Sequence, residues 1–422
     1  AWDGDLLEAE FAWNKLNFPA DRRPPVTLRI AVFCKKWPSR SDPGGMERHA
    51  QTLYAALAAR GHRIHVFTSP HEEEEEIPSL NPVIHFHDGE PNKWQYDRAW
   101  EMFQQESELD EFDAVHTESV ALPYWLAVDI PNLVVSWHGI AYESLHSVIY
   151  QELTRKPDEP QYPALEYPIE KLVKEIRFFS KYAHHVAITD SCGEVLRDVY
   201  QIPSGRVHVI LNGVDPHVFE SDHESGQKFR SQIGIPKNAT LVLGVAGRLV
   251  KDKGHPLLFD AFSKFKVYNP DAYLVVVGSG PWGSRYRELG SRVLVLGSLD
   301  RARLKGFYNA IDVFVNPTLR PQGLDLTLME TMMSGKPVMA SRFPSIKGSL
   351  VVDDELGFTF TPNVDSLYGA LELAAAEGKG RLRQRGMACR KYAEYMFSAE
   401  KMGMAYERLF LCLKNPIFCR YP

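Results

Sequence analysis

Short runs of apolar, β-branched residues alternate along the chain with longer stretches in which apolar residues recur at helical spacing. The first run covers residues 28–34 (LRIAVFC), and a glycine pair, a helical pattern over 46–60 and a second apolar run at 63–68 follow it. Continuous apolar runs of this length are typical of buried parallel strands, and the helix between them is typical of a crossover connection. The pattern therefore predicts a βαβ unit at the start of a parallel sheet.

The same alternation continues in two series, which a polar, turn-rich connector at 216–240 separates. Each series predicts a doubly wound parallel sheet, and such sheets bind ligands at the carboxyl ends of their strands. The predicted strands are 28–34, 63–68, 83–86, 114–117, 133–136, 185–189, 207–211, 241–246, 273–277, 293–296, 313–315 and 337–340. The predicted helices are 46–60, 167–182, 255–267, 302–310, 326–334, 364–376 and one after residue 396.

Composition narrows the class of protein. The chain has 422 residues, a formal net charge of -6 and 44% apolar residues, which favours a globular protein of two or three domains. The acidic excess excludes the basic footprint of a nucleic-acid-binding protein. The sequence contains no run of about 18 apolar residues, so we expect no membrane-spanning helix within these 422 residues. Five cysteines without a CxxC motif predict no metal site, and only Cys412 and Cys419 are close enough in sequence for a local disulfide.

The ends of the chain suggest its domain boundaries. Residues 1–27 are irregular, start at Ala1 rather than methionine, and are expected to form an arm or stem packed on the surface. The sequence leaves open whether the chain is a processed or shortened form with a membrane tether upstream of Ala1. The expected domains are 28–218, 219–395 and a final helical segment at 396–422.

Basic side chains follow the strand predicted at 241–246, in the sequence GRLVKDKG (247–254). Gly247 lets a bound group approach the backbone closely, and Arg248 and Lys253 come directly after it. A guanidinium fork and an ammonium together suit a diphosphate. A loop with solvent-facing charges is the alternative, and spacing alone leaves both open.

A glycine-bearing loop leads into the helix predicted at 326–334. Backbone amides at such a helix start favour anions and hydroxyl groups. Glu330 falls about one turn into this helix. Its carboxylate is suited to accept hydrogen bonds from a vicinal diol such as a ribose, and an exposed helix charge is the alternative.

Two further motifs lie in the first half of the chain. Gly44-Gly45 offers backbone amides at a helix start, but it has neither the GxGxxG spacing nor the lysine of a P-loop. His138 stands at the end of the strand predicted at 133–136 and precedes a glycine. Its position favours a functional role, with a structural histidine as the alternative.

In this order, the motifs resemble the retaining glycosyltransferases of family four, over about residues 28–400. The resemblance implies an α/β protein of GT-B fold, in the glycogen synthase and sucrose synthase superfamily. Two Rossmann-like, doubly wound parallel-sheet domains would face a central cleft, and a final helix would cross back to the N-terminal domain. The stretch 321–349 indicates a plant-like member. The motifs are GGMERHA (44–50), WHGI (137–140), LNGVD (211–215), GRLVKDKG (247–254), VGSGP (277–281), LGSL (296–299) and PQGLDLTLMETMMSGKPV (321–338).

The resemblance also implies how a nucleotide sugar binds. Arg248 and Lys253 would hold the donor diphosphate, Glu330 would accept the ribose hydroxyls, and the backbone near Leu299 would meet the base. Fixed cations stabilise the charge that develops on a leaving diphosphate, so the resemblance implies no metal or other cofactor. The full set of expected donor-binding residues is Gly45, Gly247, Arg248, Lys253, Gly278, Leu299, Gly323, Leu324, Leu326, Thr327 and Glu330. The residues expected in catalysis are Arg248, Lys253, His138, Asp325 and Gln322.

One position departs from the family pattern. The family usually has a glutamate eight residues before the Glu330 equivalent, and this chain has Gln322 there. Asp325 stands where a glycine is common. We hypothesise that Asp325 restores a carboxylate within reach of the donor sugar, and an altered donor preference or an inactive member is the alternative.

The expected function is therefore retaining, metal-independent transfer of a hexose-type sugar from a nucleotide sugar to an acceptor hydroxyl. UDP is the expected carrier, and the acceptor, whether glycan, lipid or small molecule, is not identified. A nucleotide-sugar epimerase or hydrolase of the same fold is one alternative, and a catalytically silent UDP-sugar-binding protein is another. The Golgi lumen is the expected location, with the cytoplasm as the alternative.

Overall fold

The structure is a computed structural model, and it describes residues 13–17, 19–38, 44–72, 80–161 and 166–420. The chain divides into two compact units. The first unit comprises Ala1–Ile140, Lys171–Gly213 and Met396–Pro422. The second unit comprises Ala141–Glu170 and Val214–Tyr395. The predicted boundaries assigned residues 141–170 to the N-terminal domain, whereas their contacts group them with the second unit.

The first unit contains a parallel sheet, and its seven strands within the described residues lie in the order β3-β2-β1-β4-β5-β6-β7. The sequence order reverses at β1 and β4, which is the arrangement of a Rossmann-like domain. The strands are β1 Arg29–Lys36, β2 Arg63–Ser69, β3 Val83–Phe86, β4 Ala114–Glu118, β5 Leu133–Trp137, β6 His184–Ala187 and β7 Val207–Val209. The helices up to this point of the chain are α1 Gly45–Ala59, α2 Tyr96–Leu109, α3 Tyr124–Ala127, α4 Ala141–Leu153, α5 Glu166–Phe179 and α6 Asp190–Glu194.

The second unit contains another parallel sheet, with six strands in the described residues and the order β10-β9-β8-β11-β12-β13. This is again the Rossmann order. The strands are β8 Leu241–Ala246, β9 Ala272–Val277, β10 Val293–Gly297, β11 Val313–Asn316, β12 Val338–Ser341 and β13 Gly357–Phe360. The remaining helices are α7 His223–Gln232, α8 His255–Tyr268, α9 Trp282–Arg287, α10 Arg301–Ala310, α11 Leu326–Met333, α12 Pro344–Ser349, α13 Val364–Met396 and α14 Ala399–Lys414.

Apolar runs of the sequence become the cores of these units. Each predicted strand overlaps an observed one, and the predicted fold class of two doubly wound parallel sheets is confirmed. The last helix, α14, belongs to the first unit. Its apolar residues Met402, Tyr406, Leu409 and Phe410 are buried in the core that β1 and α1 also form.

Several predictions of irregular structure were wrong. The connector predicted at 216–240 contains α7, which buries Phe229 and packs Gly226 against the backbone of Asn309 in α10. α4 lies in a stretch for which the sequence pattern predicted no helix or strand. β13 was not predicted, because the four-residue strand GFTF is too short to carry a clear pattern. α13 continues to Met396, with a kink at Gly378, where φ is 72°.

The predicted arm is anchored in the first unit by two of the residues that the structure describes. Trp13 is 1% exposed and belongs to the core of the first unit. The Asn14 side chain accepts a hydrogen bond from the backbone N–H of Leu211 at 2.9 Å. Residues 1–12 and 18 of this segment lie outside the described residues.

Cys412 and Cys419 form the predicted local disulfide, with a Cα–Cα distance of 4.4 Å. The side chains of Cys34, Cys192 and Cys389 are all buried. Among the described residues, every helix is too short or too polar to pass through a lipid bilayer.

Candidate active site

The predicted cation loop and the predicted glycine loop meet in the second unit. Both follow strands at the switch point of the sheet, since β8 and β11 are neighbours there. Gly254 adopts φ 74°, and a Cβ at this position would overlap the carbonyl oxygen of Pro317. Gly278 adopts φ 120°, and a Cβ there would overlap the carbonyl oxygen of Gly247. Glycine is required at both positions because the loops touch backbone to backbone.

Lys253 and Asp325 form an ion pair in this place. The Lys253 ammonium donates to Asp325 Oδ1 at 2.5 Å, and Asn316 Nδ2 donates to Asp325 Oδ2 at 3.0 Å. Burial by itself raises the pKa of Asp325, but Lys253, Asn316 and Arg320 outweigh it and lower the pKa to about 2. Asp325 is therefore ionised at neutral pH, and both of its oxygens have donors.

Arg248 has a different environment from Lys253. Its side chain is 66% exposed, and its guanidinium lies 3.8 Å from Asp252. Lys253 is only 14% exposed. His255 stabilises the backbone of this loop, because its Nε2 forms a hydrogen bond of 3.0 Å with the carbonyl oxygen of Arg248. Burial lowers the pKa of His255 to about 4, so this histidine is a neutral support.

Glu330 is a buried carboxylate. It is 1% exposed on α11, and the Tyr308 hydroxyl donates to its Oε2 at 2.6 Å. The alternative of an exposed helix charge was therefore wrong. A carboxylate held by a tyrosine inside the unit has a fixed orientation, because the hydrogen bond restricts its rotation.

The glycine loop also contacts α4, which sequence reasoning did not connect with it. Arg320 Nη2 donates to Glu143 Oε2 at 2.5 Å, and Gln322 Nε2 donates to His146 Nδ1 at 3.1 Å. Glu143 is 1% exposed, and Gln322 is 7% exposed. Glu143 and His146 stand three residues apart, so they lie on one face of the helix. That spacing is the only local signal that could have pointed to them.

The remaining predicted donor-binding residues lie around the same loops. Gly247 is exposed after β8, and Gly278 follows β9. Leu299 is half-buried in the loop after β10. Gly323, Leu324, Leu326 and Thr327 surround the start of α11, where the side chain of Asp325 makes no capping hydrogen bond to the helix. Gly45, by contrast, is the exposed first residue of α1 in the first unit.

His138 belongs to a buried polar cluster in the first unit. Its Nε2 donates to Glu118 Oε2 at 2.6 Å, at the carboxyl end of β4. The hydroxyl of Tyr54 donates to the other oxygen of Glu118. Burial by itself raises the pKa of Glu118, but His138, His49 and His116 outweigh it and hold the pKa well below its usual range. A charged carboxylate therefore orients the predicted catalytic histidine.

A directed chain of hydrogen bonds continues behind Glu118. Burial lowers the pKa of His116 to about 4, so His116 is neutral and carries one N–H. Since Tyr54 gives its proton to Glu118, its oxygen accepts from His116 Nδ1 at 2.9 Å. His116 Nε2 then accepts from Ser136 Oγ at 2.8 Å, and Ser136 Oγ accepts from Tyr406 Oη at 2.7 Å.

The same cluster brings together possible metal ligands. His49, Glu118 and His138 offer ligand atoms that lie within 4.8 Å of one another. Burial lowers the pKa of His49 to about 3, so its ring is neutral. Two histidines and a carboxylate are a donor set for a divalent transition metal. The expectation of no metal cluster came from sequence spacing, which does not show residues that three separate segments bring together.

Two family models match the chain in succession. The model described as Glycosyltransferase Family 4 matches residues 43–218, and the model described as Glycosyl transferases group 1 matches residues 240–376. The fold resembles sucrose-phosphate synthase from Thermosynechococcus elongatus, with a TM-score of 0.70, 20% identity, and coverage of 91% of this chain and 100% of that one. The chain is a glycosyltransferase of the GT-B type.

Other proteins show the same likeness to this glycosyltransferase. An uncharacterised glycosyltransferase of Methanocaldococcus jannaschii is 25% identical over 340 residues, which cover 74% of this chain and 80% of that protein. The structure of Anabaena HepE in complex with UDP-glucose has a TM-score of 0.65 and 18% identity, and covers 89% of this chain and 97% of that one. The plant-like character of this glycosyltransferase stays a prediction.

Proposed function

We propose that this glycosyltransferase moves a hexose-type sugar from a UDP-sugar to an acceptor hydroxyl, with retention of configuration and without a metal. The observation that carries the proposal is the position of Arg248 and Lys253 at the switch point of the second sheet, beside the start of α11. HepE, which shares the fold, was crystallised with UDP-glucose. That complex supports UDP as the carrier.

The two cations have separate tasks in this proposal. Arg248 is exposed, so its guanidinium is free to move onto a diphosphate. Lys253 is already fixed by Asp325, but an ammonium has three N–H donors, and one is enough for the carboxylate. The others can reach phosphate oxygens as negative charge grows on the leaving group.

Asp325 takes a different role from the one that its sequence position suggested. Lys253 and Asn316 already donate to its two oxygens. We propose that Asp325 is a positioning residue, which acts on the donor through Lys253 rather than through the sugar. Glu330, oriented by Tyr308, is the proposed acceptor of the ribose hydroxyls.

Retention follows from how the acceptor approaches in this proposal. No side chain named here is placed as an enzymic nucleophile, so the acceptor hydroxyl attacks on the face from which the phosphate departs. We propose that His138, oriented by its hydrogen bond to Glu118, contacts the donor sugar. Gly45 is proposed to contribute a backbone amide to the donor site. The acceptor's identity and the Golgi location stay predictions.

Calorimetry with UDP, followed by a panel of nucleotide sugars with mass-spectrometric product detection, tests the function. Lys251 provides a matched control, because it lies in the same helical turn as Lys253. Its side chain is 55% exposed, and its ammonium lies 3.8 Å from a carboxylate oxygen of Glu159. Lys253→Gln should lower transfer by about 10²–10³-fold, the effect of one preorganised donor. Lys251→Gln should leave transfer unchanged, and a chelator should also leave it unchanged. Donor turnover without an acceptor would indicate a hydrolase or epimerase instead, and UDP binding without any turnover would indicate a silent binding protein.

A further inference from the structure

Glu143 presents a buried carboxylate to the glycine loop of the second unit. It lies in the first turn of α4, is 1% exposed, and accepts from Arg320 through Oε2. Its other oxygen, Oε1, is buried, and no donor reaches it from the part of the chain that the structure describes. Buried carboxylate oxygens are normally satisfied, so this atom requires a donor other than those that the described residues supply.

The position of Oε1 shows where such a donor would come from. Glu143 Oε1 is the nearest heavy atom to the place that a Cβ at position 323 would occupy, and that Cβ would collide with it. Gly323 therefore leaves room for Oε1 itself, which lies directly against the backbone of the glycine loop. The next residues, Leu324 and Asp325, lead to the Lys253 ion pair and to the start of α11.

Gln322 fits this arrangement better than a glutamate would. Its Nε2 donates to His146 Nδ1, on the same face of α4 as Glu143. Burial lowers the pKa of His146, so a neutral ring accepts this hydrogen bond. A glutamate at 322 would add a second buried carboxylate next to Gly323, while the Arg320 guanidinium is already paired with Glu143.

We propose that Glu143 binds a hydroxyl of the transferred sugar through Oε1, and so supplies from α4 the carboxylate that the family pattern places at position 322. This inference rests on the proposed function. It assigns α4 a part of the donor-sugar site and makes Glu143 a specificity-determining residue. Arg320 is the positioning residue that holds the orientation of the Glu143 carboxylate.

Calorimetry with UDP and with UDP-glucose, on the full chain, tests the proposal. The ratio of the two affinities measures what the sugar contributes, so it separates the sugar contact from diphosphate binding. Glu143→Gln should keep the affinity for UDP and lose about 10–100-fold in affinity for UDP-glucose, as expected for a hydrogen bond to a charged group. Glu152→Gln is the matched control, because Glu152 lies on the same helix and pairs with Arg155 at 2.7 Å. It should leave both affinities unchanged.

Equal UDP-glucose affinity in wild type and Glu143→Gln, with UDP binding intact, would overturn the proposal. Should Glu143→Gln fail to fold because Arg320 loses its partner, Gly323→Ala decides, since its methyl group displaces Oε1 and should lower the affinity for UDP-glucose more than the affinity for UDP. Unchanged UDP-glucose affinity in that variant would reject Glu143 as a ligand. A wild type that binds neither UDP nor UDP-glucose would refute the proposed function, and this proposal with it. The double variant Glu143→Gln/Gln322→Glu returns a carboxylate to the family position and should regain affinity.

Discussion

Lys253 and Asp325 are 72 residues apart in the sequence, and their side chains form an ion pair of 2.5 Å at the carboxyl edge of the second sheet. Asn316, the last residue of β11, holds the second oxygen of Asp325. The pair joins the two loops that follow β8 and β11. It therefore sets the position of the Lys253 ammonium, to which the proposed function assigns the donor diphosphate, and the predictions below measure its effect on transfer and on stability.

The variant Asp325→Asn should lower the transfer rate without weakening the binding of UDP. Removing the carboxylate leaves Lys253 without its orienting partner, and we expect kcat to fall by about 10²-fold, the order of one misplaced electrostatic donor. The affinity for UDP should stay constant or rise, because a negative charge beside the diphosphate is lost. Steady-state kinetics and calorimetry on the same preparation check both parts. An undiminished transfer rate would remove Asp325 from the mechanism.

Asp325 should also contribute to the pH dependence of stability. Its pKa is about 2 in the folded chain and 3.8 in the unfolded reference, so the contribution is fully present above pH 4 and is lost as the pH falls towards 2. The shift corresponds to about 2 kcal/mol. Urea unfolding of wild type and Asp325→Asn at pH 7 and pH 3 should show a smaller loss of stability in the variant. Parallel losses in the two proteins would show that the ion pair does not stabilise the fold.

Glu118→Gln should lower both the stability of the first unit and the rate of sugar transfer. The carboxylate accepts from His138 on one side and from Tyr54 on the other, whereas an amide offers only one oxygen and must turn its NH₂ towards a donor. We expect a loss of about 1–3 kcal/mol in unfolding free energy and a lower transfer rate. Tyr406→Phe removes only the last hydroxyl of the chain, and it should cost about 1 kcal/mol without affecting transfer. Equal transfer rates in the two variants would show that the cluster is purely structural.

Gly254→Ala should open the loops that carry Lys253 and Asn316. Its φ of 74° strains any L-residue, and its Cβ would overlap the carbonyl oxygen of Pro317. Gly234→Ala is the matched control, since Gly234 has φ 81° and nothing within 4 Å of the added Cβ. We expect about 1 kcal/mol of destabilisation in Gly234→Ala and about 1–3 kcal/mol more in Gly254→Ala. Thermal unfolding checks the stabilities, and calorimetry should show weaker UDP binding only in Gly254→Ala.

Local sequence patterns predicted the elements whose residues are mostly apolar. The run LRIAVFC becomes part of β1, and the run at 241–246 coincides with β8, because a strand covered on both faces must be continuously apolar. α7 and α4 escaped prediction for the opposite reason. α7 is mostly polar and buries only Gly226 and Phe229, so its stability comes from packing on α10 and not from its own periodicity.

The sequence alone determined the two parallel sheets, their order along the chain, and the loops in which a diphosphate-binding Arg248 and Lys253 would lie. These features follow from neighbours in the chain, since apolar runs, glycine turns and helix starts are local. The tertiary structure decided the partners: Asp325 for Lys253, Tyr308 for Glu330, Glu118 for His138, and Glu143 beside Gly323. Each of these contacts joins residues 20 or more positions apart, and a side chain's partner at that separation is set by how strands and helices pack.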